Sequence, residues 1–470
     1  MRFDEHFIKG ALPEVSLIQA VFPDDPHFAV DTRTLKAGDI FIALSGSVVD
    51  GHDFIKTALE RGAGGLMLAA DKKSVLDTLD PELLKNKLIM LVPDTLAALI
   101  RISCAWRAQF RYPVIAITGS VGKTSTKELV AHMCALQGLQ YVASHGNQNT
   151  KIGLSLNMLR MRPYHQVAIF EVGINKRGEM AELARMVKPT TAIITNIGHT
   201  HMEGLGSLAD IATEKRDLFK FFTEESIGII NGDQPVLAQV GYIHPVIKFG
   251  TKTTNQIQAR KIQTKTDRIT FVLKIYKEKF TIEINNVHSG AIFNALAATV
   301  AAHMLGIPND VIIKAIQTPP IVAGRFELKP LKEDKGIIIN DCYNANPESM
   351  KAALLAFQKI ETKAQKIAVL GDMLELGLNS PFWHRQLGRF LRKVPSLRHV
   401  VLVGDMMKWA KKTIPVGLTV VTVANWQEAI IYLEGALAQE SLVLVKGSRG
   451  MGLTNVVTAL SSPSAPVAQL

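Results

Sequence analysis

The sequence predicts an α/β protein of three domains, and three observations predict it. Its 470 residues exceed what one ordinary core holds together. Continuous apolar runs alternate with helical stretches in two separate blocks, as buried parallel strands between helices would read. Between one such run and one such helix lies "VIAITGSVGKTSTKELV" (114–130), with two glycines, a lysine and a threonine at the junction. The expected architecture has a small N-terminal α/β domain (1–93) and a central domain with a P-loop-type parallel sheet, helices and an added antiparallel hairpin (94–318). A C-terminal Rossmann-like doubly wound domain (319–470) completes it.

Taken in order, residues 1–93 mix short apolar runs, "DIFIALSG" (39–46) and "LIMLV" (88–92), with a helical stretch at 53–62. Pro93 ends the last of these strands and Asp94 is placed to cap the next helix. In the central domain the strand-like runs are 114–118, 167–171, 191–196 and 227–231. Then "ITFVLKIYKEKFTIEI" (269–284) alternates apolar and polar residues around a Lys-Glu-Lys turn, which predicts the hairpin, and a helix over 290–306 follows. "TPPIVAGRFEL" (318–328) reads as a linker. Beyond it, strands are predicted at 336–340, 366–371, 398–404, 418–423 and 441–446, each followed by a helical segment. The tail "SSPSAPVAQL" reads as frayed.

Composition narrows the function classes. Lys and Arg outnumber Asp and Glu by 53 to 42, which suits an anionic ligand such as a nucleotide or sugar diphosphate. The basic residues form no long run and aromatics are only 6%, so a nucleic-acid partner is not expected. The longest apolar stretch, 291–307, is short for a span and carries Asn294 and His303, so no stable membrane insertion is expected. Three scattered cysteines and a start without an apolar signal core predict a cytoplasmic protein. A monomer is expected.

The junction at 118–125 carries the most chemistry. The common pattern G-x-x-x-x-G-K-[ST] would need a glycine at 117, where Ile stands. Gly119 and Gly122 can still turn the loop amides, through Ser120, Val121 and Ser125, toward phosphate oxygens. Lys123 is placed for the β and γ phosphates and Thr124 for Mg²⁺. The helix that follows puts Leu129, Val130, Met133 and Leu136 on one face, stops at Gly138, and aims its positive end at the phosphates. An ordinary glycine turn before a helix is the competing reading. Glu171 ends one apolar run and His201 lies just past another, so Thr124, Glu171 and His201 could gather at strand ends as metal ligands. His199 is an alternative to His201.

These residues together resemble the Mur ligase family, and the resemblance runs nearly end to end. It rests on "DTRTLKAGDIFIALSG…DGHDF" (31–54), "TGSVGKTS" (118–125), "GNQNTKIG" (146–153), "EVGINKRGE" (171–179), "HMEGLGS" (201–207), "AGRFE" (323–327), "NDCYNANPESM" (340–350), "LGDMLELG" (370–377) and "VLVKGSRGMG" (443–452). T-G-x-x-G-K-[ST] is that family's own loop, which accounts for Ile117. Thr150-Lys151 departs from the family's usual residues there. The D-N-P-R of the ligase adding the third amino acid is absent, and "YNANP" stands in its place. The D-G-A-H-N-P of folate-polyglutamylating relatives is absent too.

The resemblance implies three domains and an ATP-dependent amide-bond ligase that phosphorylates the terminal carboxylate of UDP-N-acetylmuramoyl-tripeptide and joins it to D-Ala-D-Ala. Another amino acid ligase of this type, or a catalytically idle nucleotide-binding relative, is the alternative. It implies two Mg²⁺ sites, with Thr124 and Glu171 at one and His201 near the other, and a carbamoylated Lys215, fourteen residues after His201. An unmodified ammonium cannot ligate a metal; a carbamate can. Lys123, Lys215 and His201 are then the catalytic candidates. Asn294 is implied on the adenine side, or as a packing amide; Arg325 at phosphate, or in a linker salt bridge; Asp341 at ribose, or as a helix cap. For the dipeptide the candidates are Tyr343, Asn344 and Asn346, with Lys446, Ser448 and Arg449 as a small basic patch; turn formation or a solvated loop competes. Thr32, Arg33 and Asn149 are candidates for the UDP-sugar substrate.

Overall fold

The computed structural model describes residues 2–265 and 267–462. The chain divides into two compact units, residues 1–116, 139–173 and 182–189 in the first, and 117–138, 174–181 and 190–470 in the second. Three sheets organise it.

The first sheet comprises β1 (Ser16–Ala20), β2 (Phe28–Ala29), β3 (Ile40–Ile42), β4 (Gly65–Ala69) and β5 (Leu88–Val92), in the order β1-β5-β4-β3-β2. β2 to β5 are parallel and β1 is an antiparallel edge. Asp94 caps the helix Thr95–Arg107, accepting from the Ala97 amide at 2.8 Å, as its position after Pro93 predicted. The helical stretch expected at 53–62 is a 3₁₀ turn, Gly51–Phe54, running into a helix, Ile55–Glu60.

The second sheet contains β6 (Val114–Thr118), β7 (Tyr141–Ala143), β8 (Val167–Glu171), β9 (Thr191–Ile194), β10 (Ile227–Asn231), β11 (Val246–Gly250), β12 (Ile257–Thr264), β13 (Ile269–Ile275) and β14 (Glu278–Ile284). Its order is β14-β13-β12-β11-β10-β9-β6-β8-β7. Every residue of β6, β8 and β9 is buried, as continuous apolar runs require. The expected hairpin is β13–β14, but its turn is Tyr276-Lys277; Glu278 and Lys279 already pair with Ile275 and Lys274. Strand β12, which the sequence did not reveal, joins it antiparallel to β13. Strand β9 is shorter than expected because Thr195 and Asn196 leave the sheet to hold a loop. The helix Lys123–Gln137 ends on Gly138 at φ +79°, and its residue Leu136 faces outward rather than into the core.

The third sheet comprises β15 (Glu327–Pro330), β16 (Gly336–Asn340), β17 (Gln365–Gly371), β18 (His399–Val403), β19 (Thr419–Val423) and β20 (Ser441–Lys446), ordered β15-β16-β20-β17-β18-β19. β16 through β19 run parallel, so this part is doubly wound as expected. Alternate residues of each strand feed two apolar layers: Ile339, Leu370, Leu402 and Leu444 pack with Phe357 and Leu387, while Ile338, Val369, Val401 and Val443 pack with Leu433 and Val456. The end of the expected linker is instead β15, antiparallel to β16. Two residues of the expected frayed tail are tied down: Ser461 bridges Leu331, and the Ser462 amide donates to Pro330 O at 2.9 Å. Residues 463–470 lie outside the described residues. All three cysteines are free, and among the described residues no helix is long and apolar enough to cross a membrane.

Candidate active site

The phosphate loop leaves β6 at Thr118 and enters its helix through Gly122, at φ +88°. A Cβ at Gly122 would overlap Asn294 Oδ1, and one at Gly119, at φ +144°, would overlap Thr195 Oγ1. Both positions therefore need glycine for space and for conformation. The loop is clamped by the chain after β9. The Ser120 amide donates to Asn196 O at 2.9 Å and the Val121 amide to Asn196 Oδ1 at 2.8 Å. Thr195 Oγ1 donates to Val121 O at 2.6 Å. The amides of Ser120 and Val121 are thus engaged within the protein rather than turned toward phosphate as the sequence suggested. The amides of residues 122–125 have no acceptor inside the helix, because the first turn never supplies one. Lys123 Nζ folds back to Gly119 O at 2.8 Å. Gly119→Ala should overpack this clamp, lowering stability by about 1–3 kcal/mol and raising the KM for ATP; denaturant titration and initial rates check both.

The segment 196–201 extends the clamp. Ser120 Oγ donates to Gly198 O and accepts from the Gly198 amide, both at 2.9 Å, and Thr200 Oγ1 donates to it at 3.0 Å. Both histidines of this segment meet carboxylates of residues 319–470. His199 Nδ1 lies 2.5 Å from Glu348 Oε1, its amide donates to Glu348 Oε2 at 3.1 Å, and its ring packs 4.4 Å from Trp383. His201 Nδ1 pairs with Glu375, whose carboxyl the imidazole holds below the usual carboxylate range. Lys215 is buried near the end of the helix Leu208–Arg216. Burial first, and then the charge of Lys123, push its ammonium well below the ordinary value for a lysine, against the opposing pull of Glu214.

Asn294 sits on the helix Gly290–Met304 against Gly122 and accepts from Thr126 Oγ1 at 3.4 Å. Arg325 reaches Thr124 Oγ1 at 3.5 Å, and its guanidinium lies 3.9 Å from the Tyr343 ring centroid. No salt bridge within the expected linker involves Arg325 among the described residues. Asp341 forms a buried ion pair with Lys446, 2.8 Å apart. Lys446 also donates to Asn344 O at 3.0 Å. Ser448 is buried, accepting from the Leu374 amide at 2.9 Å. The expected basic patch therefore does not form: Lys446 and Ser448 are internal and only Arg449 is exposed. Asn346 is a helix cap, accepting from the Ser349 amide at 2.7 Å, while Asn344 is exposed beside a half-buried Tyr343.

The remaining candidates belong to the first unit. Glu171 is buried at the end of β8; its amide donates to Ser144 Oγ at 3.0 Å and its Oε1 accepts from Asn149 Nδ2 at 2.8 Å. Asn149 is thus a carboxylate-orienting residue in this structure. Thr32 is buried, its carbonyl accepting from Arg61 at 2.7 Å, and the exposed Arg33 forms a two-pronged pair with Asp31. These bonds shape the turn that carries both residues.

Comparison with known proteins bears on this geometry. Three family models match in succession: "Mur ligase family, catalytic domain" over 27–106, "Mur ligase middle domain" over 117–302 and "Mur ligase, glutamate ligase domain" over 324–449. The UDP-N-acetylmuramoyl-tripeptide–D-alanyl-D-alanine ligase of Bacillus subtilis (strain 168) is 33% identical over 96% of both chains. The chain belongs to the Mur ligase family. The enzyme of the same name from Escherichia coli (strain K12) is 31% identical over 92% of each chain. A crystal structure of MurF from Acinetobacter baumannii matches this Mur ligase with a TM-score of 0.82 at 25% identity, covering 98% of each chain.

Sequence reasoning missed four residues that hold the phosphate loop and the segment beside it: Thr195, Asn196, Glu348 and Glu375. Thr195 and Asn196 read as the end of a strand, although two polar residues closing an apolar run are a usable signal for a strand-end loop. Glu348 read as an ordinary first-turn acid, and its pairing with a histidine 149 positions earlier leaves no local trace. Among the described residues no three His, Cys, Asp or Glu side chains gather to hold a metal.

Proposed function

We propose that this Mur ligase joins D-Ala-D-Ala to UDP-N-acetylmuramoyl-tripeptide at the cost of ATP, releasing ADP and phosphate, in the synthesis of peptidoglycan precursors. What carries the reading is the reach of the likeness: a relative with that activity in its name is 33% identical over 96% of both chains. In chemical terms, the tripeptide's terminal carboxylate attacks the γ-phosphorus, ADP leaves, the dipeptide amine attacks the acyl phosphate, and phosphate departs. We assign residues 1–93 to the UDP-sugar, with Thr32 and Arg33 beside it, 94–318 to ATP, and 319–470 to the dipeptide, near Tyr343 and Asn344. The chain acts as a cytoplasmic monomer, where its nucleotide substrates are found.

The residues present fit ATP. Two positions where a Cβ would collide let the backbone pass close, and the helix dipole, the amides of 122–125 and Lys123 form an anion site. Arg325, bonded to Thr124, adds a second cation, and Asn294 marks the adenine side. Asp341 keeps acceptor capacity for ribose while paired with Lys446. They also fit Mg²⁺, provided that oxygens beyond the acidic side chains take part. Thr124, His201 and a carbamate on Lys215 would hold it. When bound, Mg²⁺ neutralises the phosphate and carboxylate oxygens that must meet. Lys123 does the same work from the protein side, and Asn149 keeps the Glu171 carboxylate in one orientation.

The test is phosphate release from ATP with each substrate omitted in turn. Release should require UDP-N-acetylmuramoyl-tripeptide and D-Ala-D-Ala together. Release driven by a single amino acid or a folate would reassign the enzyme within its family, and none under any condition would leave only a nucleotide-binding protein. Pairing lysine- and diaminopimelate-containing tripeptides with several dipeptides would define the donor.

A further inference from the structure

The positive charge of the chain is concentrated. Between Ser380 and Lys412 stand eight Lys and Arg against one acid, Asp405, so this stretch carries +7 of the net +11. The fold gathers most of these cations onto two neighbouring helices, Ser380–Phe390 and Met407–Lys411. The helices pack closely at Gly388, where a Cβ would overlap Ala410 O and Thr413 Oγ1. The first helix buries His384, Leu387 and Gly388, which leaves Arg385, Arg389 and Lys393, four residues apart, in a row on its other side. Lys408 and Lys412 repeat that spacing on the second. Trp409 joins the two rows: its ring centroid lies 5.1 Å from the Arg385 guanidinium and 4.4 Å from Lys412 Nζ. All of these cations but Arg385 are exposed, and among the described residues no carboxylate pairs with any of them. Like charges at this spacing repel, and nothing within the described fold offsets them.

Two further features select the partner. Phe382, at the head of the first row, and Val416, four residues beyond Lys412, are exposed, so apolar groups flank the cations as they do on surfaces that lie in a membrane interface. A nucleic-acid strand would instead need free ring faces on which to stack its bases. Trp409 is already engaged by two cations, and Phe382 packs 5.0 Å from Trp383. We infer that this face binds the surface of a bilayer rich in anionic phospholipid, with the cations at the headgroup phosphates. Attachment is peripheral and reversible, since among the described residues no helix is long and apolar enough to cross. It is independent of which amine the ligase takes.

The experiment sediments the full chain with vesicles of phosphatidylcholine alone, or of equal parts phosphatidylcholine and phosphatidylglycerol. Wild type should bind only the anionic vesicles, and added salt should release it. Replacing Arg389, Lys408 and Lys412 together with Gln should lower binding ~100-fold, each cation contributing about fivefold. Lys412→Gln alone should lose about fivefold, which keeps the test readable if the triple variant folds poorly. Replacing Lys261, Lys277 and Lys279 with Gln removes the same charge from exposed positions at the β12–β14 end of the second sheet, and should change binding by no more than about twofold. Equal losses in the two triple variants overturn the inference, because net charge rather than this face would then be acting. Equal binding to both kinds of vesicle overturns it too. Retention on a single-stranded oligonucleotide but not on anionic vesicles, lost in the Arg389 set, gives the face to nucleic acid. Binding to neither overturns the bilayer assignment and leaves an acidic protein as the partner.

Discussion

Replacing Lys215 with alanine is expected to lower the ligation rate by ~10³-fold, with small carboxylic acids such as acetate restoring part of it. The argument starts from burial. Lys215 is 1% exposed, and the ammonium of Lys123 acts on it. Both effects disfavour the charged form, so the neutral amine is populated far below the pH an exposed lysine would need. A neutral amine has a lone pair that adds to CO₂: the C–N bond forms, one proton leaves to solvent, and a carbamate anion remains. The product carries oxygens where no three acidic or imidazole side chains gather among the described residues. The sign with pH follows. Capture needs the neutral amine, so loading is fullest above the depressed pKa and falls as pH drops through it. Stripping CO₂ from wild-type enzyme at the acid end should therefore reduce the rate, and bicarbonate should restore it. Alanine leaves a cavity able to admit a free carboxylate, hence the rescue. Full activity of Lys215→Ala, or indifference of the variant to added carboxylates, would remove Lys215 from the site.

That assignment shows what a single sequence reveals. The spacing from His201 marked Lys215, but an exposed lysine on an amphipathic helix would have had the same local pattern; only the fold shows that it is buried. Strands β6, β8, β10, β16 and β20 were legible to the residue because each is a continuous apolar run closed by polar or glycine positions. β15 was not, because two prolines and a glycine precede it and its burial comes from pairing with β16. The phosphate loop was legible because its chemistry is local: glycines, lysine and threonine lie within six positions. The clamp around it was not. Asn196, Glu348 and Glu375 act on loop residues from 75 or more positions away or on histidines far from them in the chain, and nothing near a carboxylate announces a distant imidazole. The dipeptide region misled for a related reason. "VLVKGSRG" displays Lys446 and Ser448 beside Arg449 as though all three were exposed, whereas a parallel strand ending at Lys446 draws the first two inside.

Lys446→Met should therefore destabilise the enzyme by about 3–5 kcal/mol, the cost of leaving a buried carboxylate without its partner. Lys446 is 2% exposed, and its ammonium bonds Asp341 at 2.8 Å and Asn344 O at 3.0 Å, joining the ends of β16 and β20 to the "YNANP" turn. Methionine fills similar volume but satisfies neither oxygen. Tryptophan fluorescence during urea unfolding is a suitable measure, since Trp383, Trp409 and Trp426 all lie in the region of this third sheet. Adding Asp341→Asn to Lys446→Met should return part of the loss, because the orphaned charge goes with it. His288 sets the pH dependence. It is half-buried, and desolvation of its ring chiefly lowers its pKa, with Asp341 opposing and Lys446 pushing the same way as desolvation. Without Lys446 the imidazole protonates more readily, and its charge then partly offsets that of Asp341. The folded-state pKa of His288 in the variant is raised relative to the wild type, so the offset is present at low pH and is lost as pH rises through it. The variant should accordingly lose less stability at mildly acidic than at alkaline pH. A substrate-binding role for Lys446 predicts the reverse pattern: a raised KM for D-Ala-D-Ala with the urea midpoint unmoved at every pH. Observing that would return Lys446 to the dipeptide site and leave Asp341 stable without it.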